Sequence, residues 1–135
     1  MAKIIQSAIR IKKVGQGCLV VGNLSAVADW GYAPDYVVAM QKILTLPTPD
    51  DFVIATGERH TVQEFVEIVF QELGLDWRLF VQERREILSR QAPALIGNAE
   101  KLRARTGWRP TVDFKKMVQG LVAQALANQM QENSA

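Results

Sequence analysis

Apolar side chains recur at intervals of three and four residues in several stretches of the chain, the spacing of a helix packed on one face. The first such stretch covers residues 3–14 and is followed by Gly15, so we predict an amphipathic helix that ends there. A second covers residues 34–44 and begins with Pro34, whose fixed backbone angle suits the first turn of a helix.

Further helices are predicted in the second half of the chain from their capping residues. Thr61 and Glu64 form a capping-box sequence ahead of another apolar face. Asn98 is the expected N-cap of a short helix over residues 99–106. Thr111 is the expected cap of a long last helix.

Strands are predicted where the pattern shortens or alternates. Residues 18–21 and 52–55 are short apolar runs that indicate buried strands, and residues 77–81 alternate as a half-buried strand would. Asp29-Trp30 suits a very short strand. Together these elements predict an α/β fold: a small, helix-rich lobe with a few short strands, in a single domain over residues 1–135.

Composition limits the classes of partner. The chain has 135 residues, 48% of them apolar, and a net charge of +2, which is too small to argue for nucleic-acid binding. Basic residues cluster at 10–13, 84–85 and 101–109. We interpret these clusters as helix surfaces and helix C-terminal turns, with a local phosphate site left open.

Cysteine and histidine content excludes several kinds of site. The single Cys18 lies at the start of an apolar run and is interpreted as a buried, inert thiol. One cysteine and one histidine provide too few ligands for a metal constellation, so no metal site is expected. No apolar run approaches the roughly 20 residues of a membrane span, and we expect a cytoplasmic protein.

Candidate catalytic groups each have a simpler structural interpretation. The pair Gly15 and Gly17 precedes a predicted strand, the reverse of a dinucleotide-binding turn. His60 is interpreted as an exposed turn residue at a helix entrance rather than a general base. Asp29 and Asp35 are two carboxylates that an acid/base pair would require. We prefer the structural interpretation, in which Asp29 fixes a turn and Asp35 lies at a helix N-terminus. We therefore assign no catalytic residue.

Four blocks carry a family resemblance: GNL, DWGYAPDYVVAM, FVIATGERHTVQEFVE and LIGNAEKLRARTGWRPTVDFKKMV. In this order and spacing they resemble the C-terminal part of GDP-mannose 4,6-dehydratases, which are extended short-chain dehydrogenases/reductases. The resemblance implies the C-terminal, substrate-binding lobe of such an enzyme without its Rossmann domain. In that family the Rossmann domain carries a glycine loop and a Tyr-x-x-x-Lys pair and binds NADP. The cofactor would therefore belong to the part that this sequence lacks.

The resemblance also implies a set of ligand-binding residues. The family block GN(L/I)-x-A-x-R-D-W supplies an arginine to the diphosphate, where this chain has Ala28. A second family arginine would fall on Leu88, with Arg90 two residues further on. The candidate substrate-binding residues carried over in this way are Asn23, Asp29, Trp30, Tyr32 and Arg90.

Two functional hypotheses follow. The first is a GDP-sugar-binding lobe, inactive alone, that works with a separate Rossmann subunit in a lyase reaction. The second is a non-catalytic interaction module that buries its apolar face by forming a homo-oligomer, or a remnant that binds no ligand. Neither hypothesis includes a nucleic-acid or membrane partner.

Overall fold

A computed structural model describes residues 1–87 and 94–132. Five α-helices and four strands are present in that part of the chain, in the order α1 (Ala2–Val14), β1 (Leu19–Val21), β2 (Val27–Ala28), α2 (Ala33–Leu44), β3 (His60–Thr61), α3 (Val62–Glu72), β4 (Val81–Glu83), α4 (Glu100–Thr106) and α5 (Phe114–Glu132). Short 3₁₀ helices at Trp77–Leu79 and Arg85–Ile87 flank β4. The described chain is thus small, helix-rich and poor in strands, as predicted.

These residues divide into two compact units. Unit 1 contains the described residues of 1–26, 61–87 and 118–132, and unit 2 contains residues 27–60 and 94–117. Each unit has buried apolar residues of its own.

The core of unit 1 is formed by apolar faces of α1 and α3. The predicted capping box is confirmed: the Thr61 hydroxyl accepts from Glu64 N, and the Glu64 carboxylate accepts from Thr61 N. Gly15 ends α1 with a left-handed φ of 75°, which glycine adopts without steric cost. The buried apolar side chains of unit 1 are Ile5, Ala8, Ile9, Ile11, Leu19, Phe65, Val66, Val69, Phe70, Leu73, Val118 and Val122.

The strands differ most from the prediction. β1 pairs in parallel with β4, with Leu19 opposite Val81. β4 therefore begins at residue 81, which is where the strand predicted over residues 77–81 ends. The reason is Asp76, whose carboxylate accepts from Arg78 N and starts a 3₁₀ turn in place of a strand. Cys18 is exposed, contrary to prediction, because it precedes buried Leu19 and side chains alternate between the two faces of a strand.

Other predicted elements shift by a few residues. Residues 52–55 form no strand, and the second sheet pairs β2 with β3 instead. Asp29 and Trp30 lie just after β2 rather than in a strand. The last helix starts at Phe114 without a Thr111 cap, and Asp113 accepts the Lys116 amide there instead.

The core of unit 2 surrounds Trp108. Its indole Nε1 donates to the backbone carbonyl of Asp35 at 2.9 Å, which ties the segment after α4 to the start of α2. The Tyr36 ring meets Trp108 edge to face, with centroids 6.2 Å apart. The residues of this cluster are Ala39, Ala99, Leu102 and Trp108, with Tyr36, Ile43, Phe52 and Ile54 packed against them.

None of the described helices is both long enough and apolar enough to cross a membrane.

Candidate functional site

Asp29 joins three loops of unit 2 through its carboxylate. One oxygen accepts from the amide and the hydroxyl of Thr56, the amide at 3.1 Å. The other accepts from the amides of Gly57 at 2.9 Å and Gly97 at 3.3 Å. Four donors from the protein itself occupy the acceptor positions that two carboxylate oxygens offer. Asp29 therefore fixes the loops around the site.

Asp35 has a similar role between the start of α2 and the segment that follows α4. It is 6% exposed, and it accepts from Thr111 N at 2.8 Å, Thr111 Oγ1 at 2.6 Å and Val112 N at 3.3 Å. Burial raises the pKa of Asp35, but these three hydrogen bonds lower it by more, so its pKa lies below the ordinary value. The carboxylate remains charged and structural near neutral pH.

The remaining predicted site residues lie in different places. Asn23 belongs to unit 1, where its side-chain oxygen accepts from Ser25 N at 2.9 Å and from Ser25 Oγ at 2.7 Å. Tyr32 is the N-cap residue of α2 and is 39% exposed. Arg90 lies outside the described residues. Of the five predicted residues, unit 2 contains Asp29, Trp30 and Tyr32.

Trp30 belongs to a stack of three rings. Its indole lies parallel to the Phe114 ring, with centroids 5.7 Å apart and an interplanar angle of 14°. The Phe114 ring also stacks with the imidazole of His60, with centroids 3.9 Å apart and an angle of 9°. His60 is thus half-buried against an aromatic ring, and the prediction of an exposed turn residue was wrong because the sequence did not reveal Phe114 as its neighbour.

A cleft of about 530 Å³ opens beside this stack, and every residue that lines it belongs to unit 2. The volume lies within the usual range for small-molecule sites. Its lining residues are Trp30, Thr56, Gly57, Glu58, Arg103, Arg109, Pro110, Thr111, Val112, Asp113 and Phe114.

Two arginines line the cleft. Arg103 Nη2 donates to the carbonyl of Thr56 at 2.6 Å, while its Nε is buried and has no hydrogen-bond partner. Arg109 is exposed at the cleft. Among the described ion pairs, none involves either guanidinium.

Both carboxylates of the cleft lie near basic groups of their own. Asp113 lies 3.5 Å from Lys116 Nζ, and its pKa is lowered first by the hydrogen bond from Lys116 N and further by the charges of Lys116 and Lys115. Glu58 is largely exposed and lies 3.4 Å from His60 Nε2. Neither carboxylate forms an ion pair with Arg103 or Arg109 among the described contacts.

The basic cluster at residues 101–109 was the sequence signal for the two cleft arginines, but we interpreted it only as helix surface and helix C-terminal turns. Residues 101 and 105 are four apart and share one face of α4, where Lys101 and Arg105 lie 2.6 Å and 3.9 Å from the Asp50 carboxylate. Arg103 falls between them in sequence and hence on the opposite face, toward the cleft. The basic cluster thus divides into a surface ion-pair group and a cleft group.

The glycine pair Gly15 and Gly17 is not placed as a dinucleotide-binding turn would be. Gly15 and Gly17 lie between α1 and β1, whereas pyrophosphate recognition requires a tight turn from a strand into a helix N-terminus. Within the same part of the chain, no group of three or more His, Cys, Asp or Glu side chains is placed to hold a metal ion.

The fold is found in a wider class of enzymes. The chain matches dTDP-glucose 4,6-dehydratase from Bacillus anthracis, solved in complex with NAD, with a TM-score of 0.78 and 21% identity. The match covers 94% of this chain and 40% of that one. The described chain thus has part of the fold of extended short-chain dehydrogenases/reductases.

Sequence comparison narrows this class to one family. The sequence model of GDP-mannose 4,6 dehydratase matches residues 1–121, and the chain belongs to that family. It is 42% identical to GDP-mannose 4,6 dehydratase 2 of Arabidopsis thaliana over 92% of this chain, and 37% identical to GDP-mannose 4,6 dehydratase 2 of Caenorhabditis elegans over 93%. The matches cover 34% and 37% of those relatives, so the chain spans about a third of their length.

Proposed function

We propose that this chain is the nucleotide-sugar-binding part of a GDP-mannose 4,6-dehydratase-type enzyme, and that it binds a GDP-sugar without carrying out the reaction alone. The observation that supports this function is the unit 2 cleft, which combines an indole with two guanidiniums that form no ion pair with a described carboxylate. Guanidinium groups form charge-assisted, bidentate hydrogen bonds to phosphate, and indole rings offer a large apolar contact surface. A nucleotide sugar contains both a diphosphate and apolar ring faces.

The chemistry of the reaction is proposed to come from an NADP-binding Rossmann partner. Bound NADP would accept and return a hydride, which none of the described side chains can do. The residues of this chain would bind and orient the sugar nucleotide. The loops that carry them are fixed by Asp29 and Asp35, so the site is formed before the ligand arrives.

Nuclear magnetic resonance titration with GDP-mannose tests the binding proposal. We expect shifts of the Trp30 indole signal and of the amides of residues 109 and 111–114, with saturation below millimolar ligand. Trp30→Leu removes the indole that lines the cleft and should weaken binding about 10-fold or more. Trp77→Leu is the matched control, because Trp77 lies in unit 1 and outside the cleft. An unchanged spectrum at millimolar GDP-mannose would refute the proposal.

Self-association is a second candidate function, and α2 supports it. Val37, Met40 and Leu44 are spaced by three and four residues and are 52%, 51% and 84% exposed, which gives an apolar stripe along one side of the helix. A second copy of the chain would bury this stripe in a homo-oligomer. Met40→Glu should then shift the sedimentation profile toward monomer, and the neighbouring Gln41→Glu should leave it unchanged. A monomeric wild-type chain at high concentration would exclude this function.

A further inference from the structure

Three aromatic rings of unit 2 are stacked although they come from separate parts of the chain. Trp30 follows β2, His60 begins β3 and Phe114 begins α5. Phe114 is the ring that the other two share, and it is 7% exposed. The centroid of the imidazole lies 3.9 Å from that of the phenyl ring, and the centroid of the indole lies 5.7 Å from it. The Phe114 ring therefore links the His60 imidazole to the Trp30 indole.

The backbone on both sides of Trp30 is held by other contacts. The Asp29 carboxylate accepts four hydrogen bonds from neighbouring loops. At Gly31 the Tyr36 ring lies so close that a Cβ would collide with it. The freedom that remains at Trp30 is that of its side chain, whose two torsions decide where the indole points. The Phe114 ring packs along the indole at an interplanar angle of 14°, so the orientation of the indole in the cleft depends on that ring.

His60 packs against Phe114 more closely than Trp30 does. The planes of the two rings lie within 9° of each other, and the His60 side chain is 21% exposed. Its backbone belongs to β3 and directly precedes Thr61, the N-cap of α3. The Glu58 carboxylate, 3.4 Å from His60 Nε2, is largely exposed, so the ring contact is the stronger of the two. Because the torsion that turns a phenyl ring has a broad minimum, loss of the imidazole would let the Phe114 ring turn.

We propose that His60 is a positioning residue of the cleft: its imidazole holds the Phe114 ring, and that ring holds the Trp30 indole in the orientation that a ligand meets. His60 does not line the cleft, so its effect on a ligand passes through the other two rings. The ligand affected is one that places a flat or apolar ring face against the indole. Its identity as a GDP-sugar rests on the proposed function, whereas the coupling of His60 to Trp30 rests on the stack.

Two replacements of His60 separate the flat ring from the rest of the side chain. His60→Leu keeps apolar bulk without a flat ring, and His60→Phe restores a flat ring without the two nitrogens. In the full chain, His60→Leu should move the magnetic resonance signal of the Trp30 indole N–H, which is assigned by its absence in Trp30→Leu. It should also weaken GDP-mannose binding about 2- to 10-fold, the share of one aromatic pair. His60→Phe should bring both readouts back toward wild type. Phe80→Leu is the matched control, because it removes a ring that stacks with Phe70 in unit 1, outside the cleft.

The two readouts separate this role of His60 from the proposed function. If His60→Leu leaves the Trp30 signal in place, if His60→Phe does not restore it, or if Phe80→Leu moves it equally, the positioning role is overturned. A thermal unfolding curve that shows His60→Leu to be unfolded also overturns it, in favour of a purely structural role. If GDP-mannose binds the wild-type chain and His60→Leu equally well, the GDP-sugar function stands and the positioning role falls. If the Trp30 signal depends on a flat ring at residue 60 but GDP-mannose does not bind the wild-type chain, the positioning role stands and the GDP-sugar function falls.

Discussion

Replacement of Asp35 tests whether its carboxylate holds unit 2 together. Asp35→Ala removes the acceptor of three hydrogen bonds donated by Thr111 and Val112, at a residue that is 6% exposed. Hydrogen bonds to a charged acceptor contribute about 1.5–3 kcal/mol each, and water can reach exposed Thr111 and offset part of the loss. The carboxylate also lies in the first turn of α2, where a negative charge contributes about 0.5 kcal/mol. We expect the free energy of unfolding to fall by about 2–4 kcal/mol.

Urea unfolding followed by tryptophan fluorescence measures this loss, because Trp108 bonds the backbone of Asp35 directly. Asp35→Asn keeps the shape and one acceptor oxygen, so about half the loss is expected. Asp51→Ala is the control, an exposed aspartate in the same unit, and should change stability by less than about 0.5 kcal/mol. If Asp35→Ala and Asp51→Ala unfold at the same urea concentration, the structural role of Asp35 is refuted.

The pH dependence provides an independent check of the same carboxylate. The pKa of folded Asp35 is lowered, so its stabilising effect is complete above its unfolded pKa, about 3.9, and is lost as pH falls through the lower folded value. The difference in free energy of unfolding between wild type and Asp35→Asn should therefore be constant from pH 7 to about pH 5 and shrink below about pH 4. A difference that is unchanged or larger at pH 3 would contradict the assignment.

Two pairs of substitutions test capping and packing. Thr61→Ala removes the side-chain half of the capping box and should cost about 1 kcal/mol in chemical denaturation, whereas Thr48→Ala in an exposed loop should cost almost nothing. An equal effect of the two would rule out the cap. Gly97→Ala places a Cβ against the Cβ of Ala55, which no side-chain rotation can relieve, and should lower the melting temperature through a loss of about 1–3 kcal/mol. Gly120→Ala meets nothing within 4 Å in α5 and should raise the melting temperature through a gain in stability of about 0.5–1 kcal/mol. A gain in stability for both glycine substitutions would contradict the packing at Gly97.

Helices were predictable here because their signals are local. The glycine after α1 and the capping box before α3 each lie within four residues of the helix end that they define. The strands were less predictable because a strand needs a partner distant in sequence. β1 pairs with β4 about sixty residues later, and residues 52–55 have strand-like composition but no ladder partner.

The family of the protein could be predicted from the sequence, but the geometry of the candidate site could not. The resemblance selected Trp30 as a candidate substrate-binding residue, and the indole lines the cleft, but its role in binding stays a prediction. Arg103 and Arg109 were noticed only as members of a basic cluster. Their separation from Lys101 and Arg105 depends on which face of α4 points to the cleft, and that follows from packing between segments far apart in the chain.

The four bonds of Asp29 have a consequence for how family motifs are interpreted. An aspartate whose oxygens are occupied by Thr56, Gly57 and Gly97 is required for loop closure whether or not a ligand is present. A mutation there would be removed by selection for folding alone. Asp29 can therefore persist in a descendant that has lost every substrate contact, and its presence in a sequence indicates the fold rather than the activity.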